Sequence, residues 1–356
     1  MRTNLKIVLI FLLTVSPALG QTVIRKCIIC HQKPDLKKVL PNGIEVSVHV
    51  SRKELSESVH ANLKCQDCHA DVTVIPHQNI PIGKVNCERC HFNGNNMNVP
   101  DSPMYDQFHQ SIHGQKLAEL DPKAPHCQNC HGGHNIRKPE DTQSMVYKAA
   151  IPLTCGQCHQ KELNDYRGSV HGAAILEKHI LNVPVCTDCH GKHDVYSSDM
   201  SVSRTSAQHV PDTCKGCHED FSLMQKFDLD TEQADTYTNS FHGVALKFGE
   251  VTVANCASCH GTHTIRTQDD PQSSINPAHI PETCGKCHKG ANENFAKGQI
   301  HLDPTRKESG LVYYISNFFI WLTTLTMIAL FIHIFLDLRR RLKERKEHLA
   351  EKENGS

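Results

Sequence analysis

Two stretches of this chain are continuously apolar, one near each end, and the long region between them is not. The first runs from Ile7 to Val15, behind Arg2 and Lys6 and ahead of the small-residue sequence Ala18-Leu19-Gly20. A charged start, a short apolar run and small residues form a secretory leader, and the run is too short for a retained membrane helix. Residues 1–20 are therefore expected to be removed before Gln21. The second stretch, Leu311 to Leu336, carries no formal charge. It is long enough to cross a hydrocarbon core of about 30 Å with some tilt. Tyr313, Tyr314 and Trp321 lie toward its start, where amphipathic rings suit an interface. Arg339, Arg340, Arg341, Lys343, Arg345 and Lys346 follow it, and positive charge marks that end as cytoplasmic. The pattern predicts a transmembrane helix over 311–336, a basic cytoplasmic tail over 337–356 and an exported region before them.

That exported region is long yet poor in apolar side chains, and its aromatic content is low. It is expected to form short helices and long loops with little sheet, and that much loop would count against an ordinary domain. Its core must come from something other than polypeptide. Acidic and basic side chains balance at 38 each, which excludes a nucleic-acid partner held by bulk charge.

What changes the picture is 18 cysteines and 26 histidines. Every cysteine falls into a C-x-x-C-H unit: Cys27, Cys30 and His31; Cys65, Cys68 and His69; Cys87, Cys90 and His91; Cys127, Cys130 and His131; Cys155, Cys158 and His159; Cys186, Cys189 and His190; Cys214, Cys217 and His218; Cys256, Cys259 and His260; Cys284, Cys287 and His288. An even cysteine count in an exported chain suggests disulfides, and paired C-x-x-C suggests zinc. Neither explains a histidine after every second cysteine. C-x-x-C-H attaches c-type haem: two thiols on one helical turn form thioethers, and the histidine binds iron as proximal ligand. Nine covalently bound c-type haems are expected, with porphyrin supplying the missing core.

The units repeat in a larger frame. One stands alone in 21–57. Four copies of two follow, over 58–110, 111–168, 169–239 and 240–310, each opening on S-x-H at Ser58, Ser111, Ser169 or Ser240. Copies two to four share C-H-G-x-H at their first unit and I/V-P-x-T-C, from Ile151, Val210 and Ile280, before their second. Copy one departs from both patterns.

Nine proximal histidines leave nine irons needing a second axial ligand. His60, His113, His171 and His242 recur at S-x-H, and His134, His193 and His263 recur at C-H-G-x-H. Three residues cannot carry the chain round to the other face of its own haem, so His134 is expected to serve a neighbouring one. His49 and His77 complete a set of nine candidate distal ligands. His209, His279 and His301 are reserves, and one of them can replace His49 or His77.

These tandem units resemble the multihaem c-type cytochromes with doubled haem motifs, related to the class III cytochromes, over residues 27–301. The resemblance implies a multihaem fold of short helices and loops around bis-histidine haems, with low potentials and periplasmic electron transfer in anaerobic respiration. It extends to membrane-anchored cytochromes that take electrons from quinol, whose anchor is usually N-terminal; here it is C-terminal. The resulting expectation is a nine-haem periplasmic wire, single-pass in the cytoplasmic membrane. It would link a membrane donor, the quinol pool or a quinol-oxidising subunit, to periplasmic cytochromes or reductases. Two imidazoles per iron leave no site for substrate, so an electron carrier is favoured over an enzyme. The alternatives are a reductase of nitrite, hydroxylamine or a sulfur oxyanion, and the cytochrome c subunit of a quinone-reactive complex. In the latter, His333, inside the apolar helix, could bind a b-type haem.

Overall fold

The computed structural model describes residues 26–354 except 41–42, 78–82, 93, 96–98, 100–102 and 299. The leader expected over 1–20 lies outside the described residues. Helices account for most of the regular structure, and they are short. The described residues form one sheet, a two-stranded antiparallel ribbon of Lys37–Val39 and Glu45–Ser47, in register Lys38 opposite Val46.

The chain divides into two compact units. One holds the described residues up to Thr213 together with Asn255–His279; the other holds Cys214–Ala254 and the described residues from Ile280 onward. In the first, the buried apolar side chains include Ile28, Ala124, Ile175, Val183 and Val185; in the second, Met224, Tyr237 and Leu246. Serines are buried as thoroughly: Ser58, Ser111, Ser144, Ser169, Ser203 and Ser273. A core so small cannot offset the entropy of ordering this much chain, so repeated hydrogen-bonded joints must shape the backbone.

The S-x-H-G segment is one such joint. Ser111, Ser169 and Ser240 cap the helices Ile112–Ala118, Val170–Leu176 and Phe241–Lys247, each accepting from the glycine N–H three residues on, at 3.0–3.2 Å. The same hydroxyls donate at 2.6 Å to the carbonyls of Phe108, Tyr166 and Tyr237, which end the preceding helices. Two helices therefore meet at a corner too tight for a side chain. A Cβ on Gly114, Gly172 or Gly243 would lie 2.0, 1.8 or 2.1 Å from those carbonyl oxygens.

A second joint links successive copies within the first unit. The residue after each capping serine donates its N–H to the second residue past a C-H-G-x-H motif in the following copy. The bonds are Val59 to Ile136, Ile112 to Val195 and Val170 to Ile265, each 2.9 Å. S-x-H and C-H-G-x-H, far apart in sequence, are in this way laid side by side.

In the second unit, Leu311–Asn354 is a single helix. Over Leu311–Ala350 it is long and apolar enough to cross a membrane. It does not stop at Leu336: ion pairs one turn apart, Arg341 with Asp337 at 2.8 Å and Arg340 with Glu344 at 3.5 Å, continue it through the basic segment. The segment before it is pinned locally. Arg306 pairs with Glu232, and Thr236 Oγ1 lies 3.0 Å from His301 Nδ1.

Candidate haem-binding sites

Each C-x-x-C-H segment folds as a local helical turn. Cys127–His131, Cys186–His190 and Cys256–His260 are short helices, and 26–31 and Cys65–Cys68 are similar. Cys155, Cys214 and Cys284 lie on helices opened by the I/V-P of I/V-P-x-T-C, Ile151–Gly156, Val210–His218 and Ile280–Gly285. Proline suits that first turn because its missing N–H would have no helical partner there. At four sites the histidine N–H bonds the carbonyl of the first cysteine: His69 to Cys65, His91 to Cys87, His159 to Cys155 and His288 to Cys284, at 2.8–3.0 Å. Thiols three apart share a face of the turn, and this bond closes the turn at the imidazole.

In copies two to four the helix ends on Gly132, Gly191 and Gly261, at φ of +83°, +86° and +81° and ψ near 180°. That conformation is open essentially to glycine alone. It turns the chain sharply away, so that His134, His193 and His263 leave the turn that carries their own cysteines.

The imidazoles then come together in pairs. Ring centroids lie 5.9 Å apart for His31 and His77, 5.9 Å for His60 and His91, 6.0 Å for His69 and His134, and 6.2 Å for His113 and His159. The remaining pairs are His131 with His193 at 5.9 Å, His190 with His263 at 6.0 Å, and His242 with His288 at 6.0 Å. In every pair one ring belongs to a C-x-x-C-H unit and the other does not. His60, His113 and His242 face the second unit of their own copy. His134, His193 and His263 face the first unit of the copy before. His77 serves His31 as those three serve their partners.

Two rings bound to opposite sides of one metal through bonds of about 2 Å would stand roughly 6 Å apart. That is the spacing found, and it is too wide for the imidazoles to hold a metal by direct convergence with other side chains. Among the described residues no group of three or more histidine, cysteine or acidic side chains could hold a bare ion. None of the cysteines is joined in a disulfide. The donor set fits a flat iron macrocycle between two imidazoles, tethered at its edge by two thiols. Two buried hydroxyls add to the fit: those of Tyr105, beside Cys87 and Cys127, and Thr187, next to Cys186, have no hydrogen-bond partner among the described residues.

Burial holds the imidazoles of His60, His69, His113, His131, His134, His190, His193, His218 and His242 below their ordinary pKa. They are kept neutral, the form that binds metal. His31 Nδ1 donates to the Val48 carbonyl at 2.7 Å, which fixes the tautomer and leaves Nε2 directed elsewhere.

Other candidates stand apart from these pairs. His49 is exposed on the strand of chain that follows the ribbon, its N–H on the Ser47 hydroxyl. His209 Nδ1 lies 3.1 Å from the Ser203 carbonyl and 3.2 Å from Ser206 Oγ, and His279 Nε2 lies 3.0 Å from the Pro271 carbonyl. Both thereby close equivalent loops before their haem units. His171 occupies the S-x-H position on its helix, and His301 is held below its ordinary pKa by burial. His333 is exposed on the long apolar helix. The capping serines and corner glycines escaped the sequence reading, although serine followed three residues later by glycine at a helix start is a capping signal.

No family model matches the chain, and no solved structure matches it. A high-molecular-weight cytochrome c of Nitratidesulfovibrio vulgaris is 26% identical over 196 residues, covering 54% of this chain and 31% of that protein. The matched region is thus less than a third of the relative's length, and over it the chain is similar to a cytochrome c.

Proposed function

We propose that this protein is a membrane-anchored electron carrier in which nine C-x-x-C-H units each hold a covalently attached c-type haem. The observation that carries this reading is the set of seven imidazole pairs at 5.9–6.2 Å, each joining one C-x-x-C-H histidine to one spare histidine. The likeness to a cytochrome c supports it independently. Bound haem supplies reversible one-electron transfer at iron. The chain's own residues determine how that chemistry is used. The cysteines of each unit tether the macrocycle edge, and the histidine that ends the turn takes one axial position. His60, His77, His113, His134, His193, His242 and His263 take the other at seven sites, and His171 and His301 keep the candidacy of their sequence positions.

With both axial positions filled by protein, these sites exclude substrate from iron, which favours a carrier over a reductase. Two imidazoles also hold the potential lower than a histidine–methionine set would. The apolar helix with its basic end supports a cytoplasmic-membrane anchor, haem side in the periplasm, with partners that are redox proteins or a quinol-oxidising subunit. Spectral haem counting on the purified full-length protein, combined with its intact mass, tests the reading. The expected result is nine haems and a polypeptide shortened by residues 1–20. A colourless product, or one holding zinc on free thiols, would overturn it.

A further inference from the structure

The first six attachment sites, from Cys27 to His190, all belong to one unit, and the contacts between them repeat with a period of two. Between sites one and two, the first cysteines touch: Cys65 shares a hydrogen bond with Cys27, and His69 lies within electrostatic reach of His31 and His77. Between sites three and four the contact is the same. Cys87 bonds Cys127, and His131 lies near His91. Flanking side chains reinforce it, with Lys84 Nζ 2.5 Å from His126 Nε2 and the Tyr105 hydroxyl buried beside both thiols. Sites five and six repeat it through Cys155 with Cys186 and His159 with His190. There Lys148 lies 3.4 Å from Asp188, and the helix carrying Cys155 packs on Cys186–His190.

The intervening junctions differ. Sites two and three adjoin through Cys68 and Cys90, their second cysteines. Sites four and five adjoin through Cys130, which neighbours Cys155 and Cys158. At three places, then, proximal histidines and first cysteines come together; at two, the second cysteine of the earlier site makes the approach.

Resting on the haem reading above, we infer that the first six haems follow one another in space as in sequence, grouped as three close dyads that straddle the copy boundaries. The dyads join sites one and two, three and four, and five and six. The sequence copy is therefore not the electronic unit. Each copy contributes one haem to a dyad with the copy before it and one to a dyad with the copy after it. This matches the ligand exchange, in which His77, His134, His193 and His263 each cap a site of the preceding segment.

Iron positions from anomalous diffraction on crystals of the full-length holoprotein, with each iron assigned by its traced thioether attachment, test this. The expected map has six irons in chain order, with shorter iron–iron distances within dyads than across the two junctions. A map in that order whose shorter distances fall inside the copies would overturn the dyads. A branched or reordered run would overturn the whole inference. Irons missing from the C-x-x-C-H units would instead refute the haem reading on which it rests. In solution, His193→Met at site four should shift the reduction midpoint of site three more than that of site five. An equal shift, or a larger one at site five, counts against the grouping.

Discussion

Copy one and copies two to four carry the same chemical groups at nearly the same spacing, yet they fold differently at two points. Where the later copies have S-x-H-G, copy one has Ser58-Val59-His60-Ala61; where they have C-H-G-x-H, it has His69-Ala70 and no histidine three residues on. With alanine at 61, no helix starts at Ser58, whose hydroxyl instead accepts from the His60 N–H at 3.2 Å. With alanine at 70, the chain cannot take the glycine-only turn, and the histidine that faces His31 is His77, farther along. The imidazole pairs form all the same. Pair formation is the constant, and glycine decides only which local path delivers the second ring.

The sharpest way to break this comparison is at the helix corner. Gly172→Val puts a side chain where Cβ alone meets the Tyr166 carbonyl at 1.8 Å. It should cost about 3 kcal/mol or more, read as a fall in thermal midpoint. Ala61→Val, at the matching position of copy one, should cost less than half of that.

Next in size is the turn after the proximal histidine. Gly191→Ala meets both an unfavourable backbone and Asp194 Oδ1 at 2.4 Å, and should cost about 1–3 kcal/mol. Because it displaces His193 from His131, low-spin signal equivalent to one haem should be lost from the electron paramagnetic resonance spectrum. Ala70→Gly should leave that spectrum unchanged.

Removing a helix cap comes third. Ser169→Ala takes away an acceptor for Gly172 N–H and should cost about 1 kcal/mol in thermal or denaturant unfolding. Ser58→Ala, where no helix is capped, should cost less.

The smallest effect concerns acid. In copies two and four, backbone N–H bonds and Arg137 or Arg266 hold the carboxyls of Asp141 and Asp270 below the ordinary 3.8. A carboxylate with a depressed folded pKa stabilises fully above its unfolded value and loses that contribution as pH falls through the folded one. The stability difference between native protein and Asp270→Asn should therefore be constant at neutral pH and shrink below about pH 4.

Much of this was legible in the sequence because covalent chemistry wrote it there. C-x-x-C-H cannot be read by periodicity or propensity, yet it marks each turn, and the repeat frame sorted His60, His113 and His242 from His134, His193 and His263. The uncharged run from Leu311 announced the long apolar helix, though not that ion pairs at Asp337 and Arg340 would extend it. Less legible was which imidazole meets which. That depends on joints such as Val59 to Ile136, a backbone bond between residues that carry no signature. His49 and His77 looked equivalent for the same reason, and only the placement of His77 against His31 separates them geometrically. His209 and His279 recur in register as ligands would, but their ring nitrogens lie against loop carbonyls.

The central claim is that paired imidazoles share an iron, and spin state with axial-ligand spectroscopy on the oxidised full-length protein tests it most directly. Low-temperature electron paramagnetic resonance and near-infrared magnetic circular dichroism should show bis-imidazole, low-spin iron at the seven paired sites at least, with His134→Ala converting one of them to high spin. A spectrum dominated by high-spin or methionine-ligated iron, or one that His134→Ala leaves unchanged, would contradict the account.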